Sequence, residues 1–454
     1  MLAKKSFWYF TVFLTFFALY YIILSVFIEE KNYIHLNLLF FAEKAKLATE
    51  GMPPRLENIG FVYPPLVFLF FLIFKNIPTA VAFLSASINT IFLFTVQRKF
   101  SLYLSILFLL SFLYLFLSTQ MPSLLLFYMF LIWTVIFIIR FIEERLSLYL
   151  FLAGLLYGFS FFVDFRTVFL IPFWILLFVF LIRTENWKEK IAIMTVFNTP
   201  IFFFSLSWMY LNWVFVGDPL NFIHSKYSYF KSFPSSSILK ISFPLIIFYF
   251  LPFIFPYVFG FFYLKNKTYK FLYLLPAYTF FIFLKLKMIE GFFVNAVLFS
   301  IFFMLFYSEA KKLKFVFLIT IIFSFVLIPF SPDYNERTFA RAILGMKIEE
   351  NLVEYKKVAD FINTRSDGHI LMDDSWGFPI VYFSKDTKRF ILPYMYEFYS
   401  AITSPQLFAE WIIVNIASES DRVLNSLPEL KSEKSIYYYP VYKDEEIKIY
   451  MRLK

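Results

Sequence analysis

Apolar residues run in long blocks along this chain, separated by short clusters of charge. A helix that crosses a bilayer needs about 20 mostly apolar residues, with about 17–25 usual. On that measure the pattern predicts eleven spans, at 7–28, 77–96, 100–118, 124–142, 147–164, 167–183, 191–215, 238–262, 271–288, 292–307 and 315–330. In water such runs aggregate, whereas in hydrocarbon a helix satisfies its own backbone groups. The run from Phe7 to Ile28 is too long for a signal-peptide core and ends in Glu29-Glu30 with no small-residue cleavage site, so it reads as a retained first span.

Between the first two spans lies a segment, 29–76, with its own pattern. Residues 34–48 place Ile34, Leu38, Phe41, Ala45 and Ala48 on one helical face, as in an amphipathic helix lying in the membrane interface. The stretch Pro65–Phe74 is apolar but too short to span, so it is expected to lie flat or re-enter. After residue 330 charges become frequent and the pattern changes. Helices are expected at 350–364, 377–384 and 420–431, strands at 370–372, 389–393 and 411–415, and a terminal hairpin at 436–441 and 446–452 turning around Asp444. The expected architecture is thus a polytopic α-helical membrane domain, 1–330, followed by a water-soluble α/β domain, 331–454, of normal single-domain size.

Composition supports the membrane reading. Of 454 residues 60% are hydrophobic, only 16% are charged, and 71 are Phe. The mean hydropathy is +0.70. A soluble domain of this size needs far more polar surface. The net charge is +10, but the residues after 330 sum to about −3, so the basic excess belongs to the membrane part. Lys4/Lys5, Arg98/Lys99, Arg145, Arg183/Lys188/Lys190, Lys265/Lys267/Lys270 and Lys311/Lys312/Lys314 recur in alternate loops. That is the positive-inside pattern, not a nucleic-acid footprint. It predicts a cytoplasmic N-terminus in the cell membrane and, with an odd span count, an extracytoplasmic C-terminal domain.

The absence of Cys excludes disulfides and thiolate metal sites. His35, His224 and His369 show no zinc-ligand spacing, and no Gly-rich phosphate loop occurs, which argues against cytoplasmic nucleotide chemistry.

Candidate chemistry gathers in a few places. The 29–76 segment opens with Glu29-Glu30-Lys31-Asn32-Tyr33 and closes with Gly51-Met52-Pro53-Pro54-Arg55 and Tyr63-Pro64-Pro65-Leu66. Carboxylates at the outer end of a span can serve as a base toward a hydroxyl or hold a divalent cation; they also suit an ordinary solvated helix end. Gly154-Leu155-Leu156-Tyr157-Gly158 is a small-xxx-small packing motif leading to Asp164, Phe165 and Arg166, a candidate substrate contact or an interfacial ion pair. Asn212 precedes Gly217-Asp218-Pro219-Leu220, a candidate site loop or a plain Asp-Pro turn. Lys285, Lys287 and Glu290 lie at the predicted outer end of a span, against the charge trend. They suit either a departing phosphate or snorkelling to headgroups. Asp373-Asp374-Ser375-Trp376, at a strand end, suits sugar stacking or a turn.

Taken together, these stretches resemble the GT-C superfamily of membrane glycosyltransferases, in particular the protein mannosyltransferases and lipid A aminoarabinose transferases. Glu29, Glu30 and Tyr33 match the opening of that family's first outer loop, and Gly51, Pro54, Arg55, Pro64, Pro65 and Leu66 match its close. The family base is usually Asp where this chain has Glu29, and the stretch from Tyr33 to Gly51 is about two helical turns longer than in the family. The resemblance implies transfer of a sugar from a polyprenyl-phosphate donor to a lipid, glycan or protein acceptor at the outer face. It implies Glu29 and Glu30 as catalytic, and Tyr33, Arg55, Tyr63, Asp164, Arg166, Asp218, Lys285, Lys287 and Glu290 as substrate-binding, with the metal requirement left open. The alternative is a non-catalytic membrane carrier or assembly protein of the same fold. No internal repeat of the transporter kind supports a carrier.

Overall fold

The computed structural model describes residues 2–96, 100–181, 186–225, 228–231, 243–306, 313–348, 352–365 and 367–453. The chain folds as two compact units, one comprising Met1–Lys31, Phe61–Val67 and Pro78–Glu349, the other Asn32–Gly60, Phe68–Ile77 and Glu350–Lys454.

The first unit is built from apolar helices. Four of those described are long and apolar enough to cross a membrane: Trp8–Glu30, Ile77–Val96, Pro122–Glu144 and Trp187–Val216. Two bent pairs, Leu102–Leu109 with Phe112–Gln120 (58°) and Phe315–Phe330 with Tyr334–Ile343 (106°), bring the number to six if each is one broken span. By the length and composition of these helices the chain is a helical membrane protein.

Eleven uninterrupted spans are not what the helices provide, for local reasons. The block 147–164 forms a helix of only 15 residues, Ser147–Phe161. The block 167–183 starts as a 3-10 turn, Phe165–Leu170, because Pro172 lacks the amide a continuous helix needs, and it resumes over Ile171–Leu176. The block 271–288 is broken at Leu274, ahead of Pro276, into Lys267–Tyr273 and Leu275–Lys285. Residues 238–242 and 307 of two further blocks lie outside the described residues, as do Arg98, Lys99, Arg183, Lys311 and Lys312 of the charge pattern.

Glycine permits a close helix approach in this unit. Helices Ser147–Phe161 and Trp187–Val216 pack so tightly that a Cβ on Gly154 would lie 2.4 Å from the Phe197 carbonyl oxygen, and one on Gly158 2.7 Å from the Phe204 ring. The Gly154–Gly158 motif is therefore used for packing. On its other side the Trp187–Val216 helix leaves Phe202, Phe203, Leu206, Tyr210 and Trp213 exposed, a long apolar stripe of the kind lipid covers.

The second unit is a three-layer α/β/α fold. Strands β1 (Ile370–Met372), β2 (Phe390–Ile391), β3 (Trp411–Asn415), β4 (Tyr438–Lys443) and β5 (Ile447–Arg452) form one sheet in the order β2-β1-β3-β5-β4. β1 is parallel to β2 and β3, and β5 is antiparallel to β3 and β4. Strand residues alternate between faces. Ile370, Met372, Ile413, Ile447 and Ile449 pack with Val358, Ile362, Ile380 and Val381 of helices Val353–Asn363 and Asp374–Phe383. Leu371, Ile412, Val414 and Tyr450 face Phe398, Val423 and Leu424 on the opposite side. The expected strands 370–372 and 411–415 coincide with β1 and β3, and the helix expected at 350–364 is Val353–Asn363, with 350 and 351 outside the described residues.

Helix Leu36–Glu50 also belongs to this unit. The face predicted from Ile34, Leu38, Phe41, Ala45 and Ala48 is buried throughout. On that face Phe41 meets Phe68 edge-on at 5.0 Å, and beside it Leu47 enters the sheet's core, Phe40 meets Phe378 edge-on at 5.7 Å, and Lys46 donates to the Tyr382 carbonyl at 3.0 Å. Pro65–Phe74 forms the short helix Leu66–Ile73.

Candidate functional site

In the first unit three of the predicted residues meet in one buried ionic cluster. Asp164 lies just beyond the short helix Ser147–Phe161 and caps the 3-10 turn that follows, accepting from the Arg166 amide at 2.8 Å. Its carboxylate also takes the Arg166 side chain, Nε at 3.0 Å and Nη2 at 2.6 Å. The remaining arm of the guanidinium, Nη1, donates to the Met288 carbonyl at 2.5 Å, and Glu290 Oε2 stands 3.7 Å from Nη2. The Phe283 ring lies under the guanidinium at 4.7 Å. Arg166 is 1% exposed and Asp164 2%. Burial pushes the Glu290 carboxyl upward, opposed by Arg166 and reinforced by Asp164. A planar guanidinium with a bidentate carboxylate and a carbonyl has most of its donors occupied.

The segment carrying Glu290 also carries Lys285 and Lys287. Both are exposed, at the C-terminal end of helix Leu275–Lys285, and Lys287 has a left-handed backbone (φ 58°) that turns the chain back. The turn after Glu290 is held from below by Glu336. Its Oε1 accepts from the Phe292 and Val294 amides at 2.9 and 2.8 Å, and its Oε2 from Ser331 Oγ at 2.7 Å. Composition gave no hint of this clamp, but Asp333 three residues ahead of Glu336 is the signature of a helix start, and the Asp333 carboxylate does accept from the Glu336 amide at 3.1 Å.

The other predicted residues are distributed. Glu29 and Glu30 are the last residues of helix Leu2–Glu30, the first half-buried and the second exposed. Tyr63 packs edge-on to Tyr229 at 5.8 Å, and Tyr229 stands 5.9 Å from the Arg166 guanidinium, so this aromatic pair borders the ionic cluster. Asp218 caps a short turn, accepting from the Leu220 amide at 2.9 Å and pairing with His224 at 3.1 Å. Phe222 of that turn packs on Phe165 at 5.0 Å. Asn212 is buried and donates to the Trp208 carbonyl at 2.9 Å.

Tyr33 and Arg55 belong to the second unit. Tyr33 is completely buried. Arg55 donates to Asn58 at 3.3 Å and lies 5.5 Å from the Tyr396 ring, while Asn58 donates to the Leu47 and Pro53 carbonyls at 2.9 Å each. The Asp373–Trp376 patch is a helix cap: Asp373 accepts from the Ser375 and Arg422 amides at 2.9 Å each.

This unit also holds a charged cluster that sequence reading missed. Lys44 pairs with Asp374, 330 residues later, and stands 3.4 Å from Glu43 and 5.5 Å from the Tyr394 ring. Glu43 is fully buried and neither of its carboxylate oxygens has a hydrogen-bond partner. Burial pushes its carboxyl up to about 8, opposed by Lys44 and reinforced by Asp374. The available signal was adjacent opposite charges beside the apolar face of a helix, which demand a buried partner.

Among the described residues no group of three or more His, Asp or Glu is placed to hold a metal ion. Comparison with protein-family models and with curated proteins gave no match.

Proposed function

We propose that this protein is a membrane glycosyltransferase that moves a sugar from a polyprenyl-phosphate donor to an acceptor at the outer face of the cell membrane. In this reading all eleven apolar blocks cross or enter the bilayer, the broken ones as paired short helices. The N-terminus is cytoplasmic and the α/β unit extracytoplasmic. The partners are the bilayer, the lipid-linked donor and a lipid, glycan or protein acceptor.

The observation that carries the reading is the order of residues in the 29–66 segment, Glu29-Glu30, Tyr33, Gly51, Pro54-Arg55 and Pro64-Pro65-Leu66, at the end of an apolar helix in a helical membrane protein. Glu29 takes the proton of the acceptor hydroxyl. The freed oxygen attacks the anomeric carbon, the bond from that carbon to the phosphate oxygen breaks with inversion, and polyprenyl phosphate leaves with the negative charge. Lys285 and Lys287 are exposed and suit that departing charge. Arg166, already engaged by Asp164 and Met288, suits a positioning role that fixes the 285–290 segment.

The test is transfer by the purified, reconstituted chain from a panel of radiolabelled polyprenyl-phosphate sugars. Sugar release or transfer that falls at least ~100-fold in Glu29→Gln is expected for loss of a general base. Full activity in that variant removes Glu29 from the role, and no turnover with any donor leaves the non-catalytic alternative.

A further inference from the structure

A second feature of the first unit is independent of the transferase reading. Helix Tyr334–Ile343 leaves the apolar helix ahead of it at 106°. Tyr334, Arg337, Thr338 and Arg341 recur at i, i+3, i+4 and i+7, so they share one face of the new helix. Gly345, with φ +68°, then reverses the chain and brings Lys347 and Ile348 over that face. These six residues line a hollow of about 310 Å³. That is the lower end of the range for small-ligand sites.

Three of the six are cations. Arg337 donates one N–H to the Ser331 carbonyl and Arg341 one to the Pro329 carbonyl, each at 3.0 Å, so both guanidinium groups are anchored on the end of the preceding helix. Among the described residues no salt bridge joins Arg337, Arg341 or Lys347 to a carboxylate, although Asp333 caps this helix and Glu336 lies on it. Glu336 is turned inward to the Phe292 and Val294 amides, and Asp333 is spent on the helix cap. An arginine has five N–H donors in a fixed fork, so anchored guanidinium groups beside an ammonium form a preorganised oxyanion receptor. The apolar helix leading to the hollow exposes Phe315, Ile322, Val326 and Phe330, an apolar flank that ends where the cations begin.

We propose that this hollow binds the phosphate of an anionic phospholipid, with the acyl chains along the exposed flank of residues 315–330. Hollow and flank together match such a lipid, charged at one end and apolar along its length.

The test uses the full chain, purified from nanodiscs of phosphatidylcholine with about 20 mol % phosphatidylglycerol, and native mass spectrometry to count retained lipids. The variant is Arg337→Gln/Arg341→Gln/Lys347→Gln, and the matched control, Lys265→Gln/Lys267→Gln/Lys270→Gln, removes the same charge elsewhere. Retention of phosphatidylglycerol over phosphatidylcholine is expected to fall roughly 10- to 100-fold in the first and to be unchanged in the second. If the triple variant does not fold, Lys347→Gln alone, in the exposed turn, is expected to lose about 3-fold or more. Equal retention in variant and native protein, or equal loss in the control, overturns the proposal. Displacement of the lipid by millimolar inorganic phosphate assigns the hollow to free phosphate and overturns the lipid assignment.

Discussion

Replacing Glu43 by Gln should make the second unit more stable, and increasingly so as pH rises. Glu43 is buried without hydrogen bonds, and burial pushes its carboxyl from the ordinary 4.5 up to about 8, against Lys44 and with a smaller contribution from Asp374 and a smaller opposition from Lys46. Between those two values the folded protein holds a proton that the unfolded chain releases. The stability contributed by this group is therefore greatest below about pH 4.5 and falls as pH rises toward 8, by about 1.4 kcal/mol per pH unit. From pH 6 to 8 the native protein loses about 2 kcal/mol through this group. Gln keeps the shape of the protonated acid and does not titrate. Burial disfavours the Lys44 ammonium, but the paired Asp374 carboxylate opposes it and keeps the ammonium charged across this range. His35, at the start of the same helix, is held down to about 4 by burial, and its contribution is common to both proteins. The assay is hydrogen exchange of the β1 and β3 amides in the full chain at pH 6 and pH 8, corrected for intrinsic rates. Protection in Glu43→Gln relative to the native protein should grow by about 30-fold between the two pH values. A ratio that stays constant with pH refutes the assignment of a proton to Glu43.

Two further substitutions test the first unit. Asp164→Ala leaves the Arg166 guanidinium buried without its carboxylate and should cost about 3–5 kcal/mol, read as a lower unfolding midpoint in detergent, while Asp164→Leu/Arg166→Met should cost less than either single change; an unchanged midpoint in Asp164→Ala would show that Glu290 replaces it. Gly154→Val drives a side chain into the Phe197 carbonyl and should cost about 1–3 kcal/mol by the same measurement; no change would mean the two helices do not approach as described.

Periodicity made much of the second unit legible. The buried face of helix Leu36–Glu50, the strands at 370–372 and 411–415 and the terminal hairpin follow from apolar spacing alone. Helix Glu397–Thr403 did not, because its short aromatic run has no helical period, and helix Tyr334–Ile343 was hidden by its charges despite the Asp333…Glu336 cap. In the membrane part hydropathy located the apolar blocks but not their interruptions, which depend on Pro172 and Pro276 and on tertiary contacts. Asp164, Arg166 and Glu290 were singled out for their chemistry, and their meeting was not readable, since 122 residues separate Arg166 from Met288. The Lys44–Asp374 pair is more remote still, and no local motif encodes it.

That separation has a consequence for biogenesis. Helix Leu36–Glu50 leaves the ribosome about 300 residues before the sheet on which it packs. At usual synthesis rates of about 5–20 residues per second, Lys44 and the apolar face around it stay uncovered for roughly 15–60 s. The membrane helices are inserted during that interval. The α/β unit therefore cannot mature as a vectorial, N-to-C event: its first piece must wait until the sheet begins to be made.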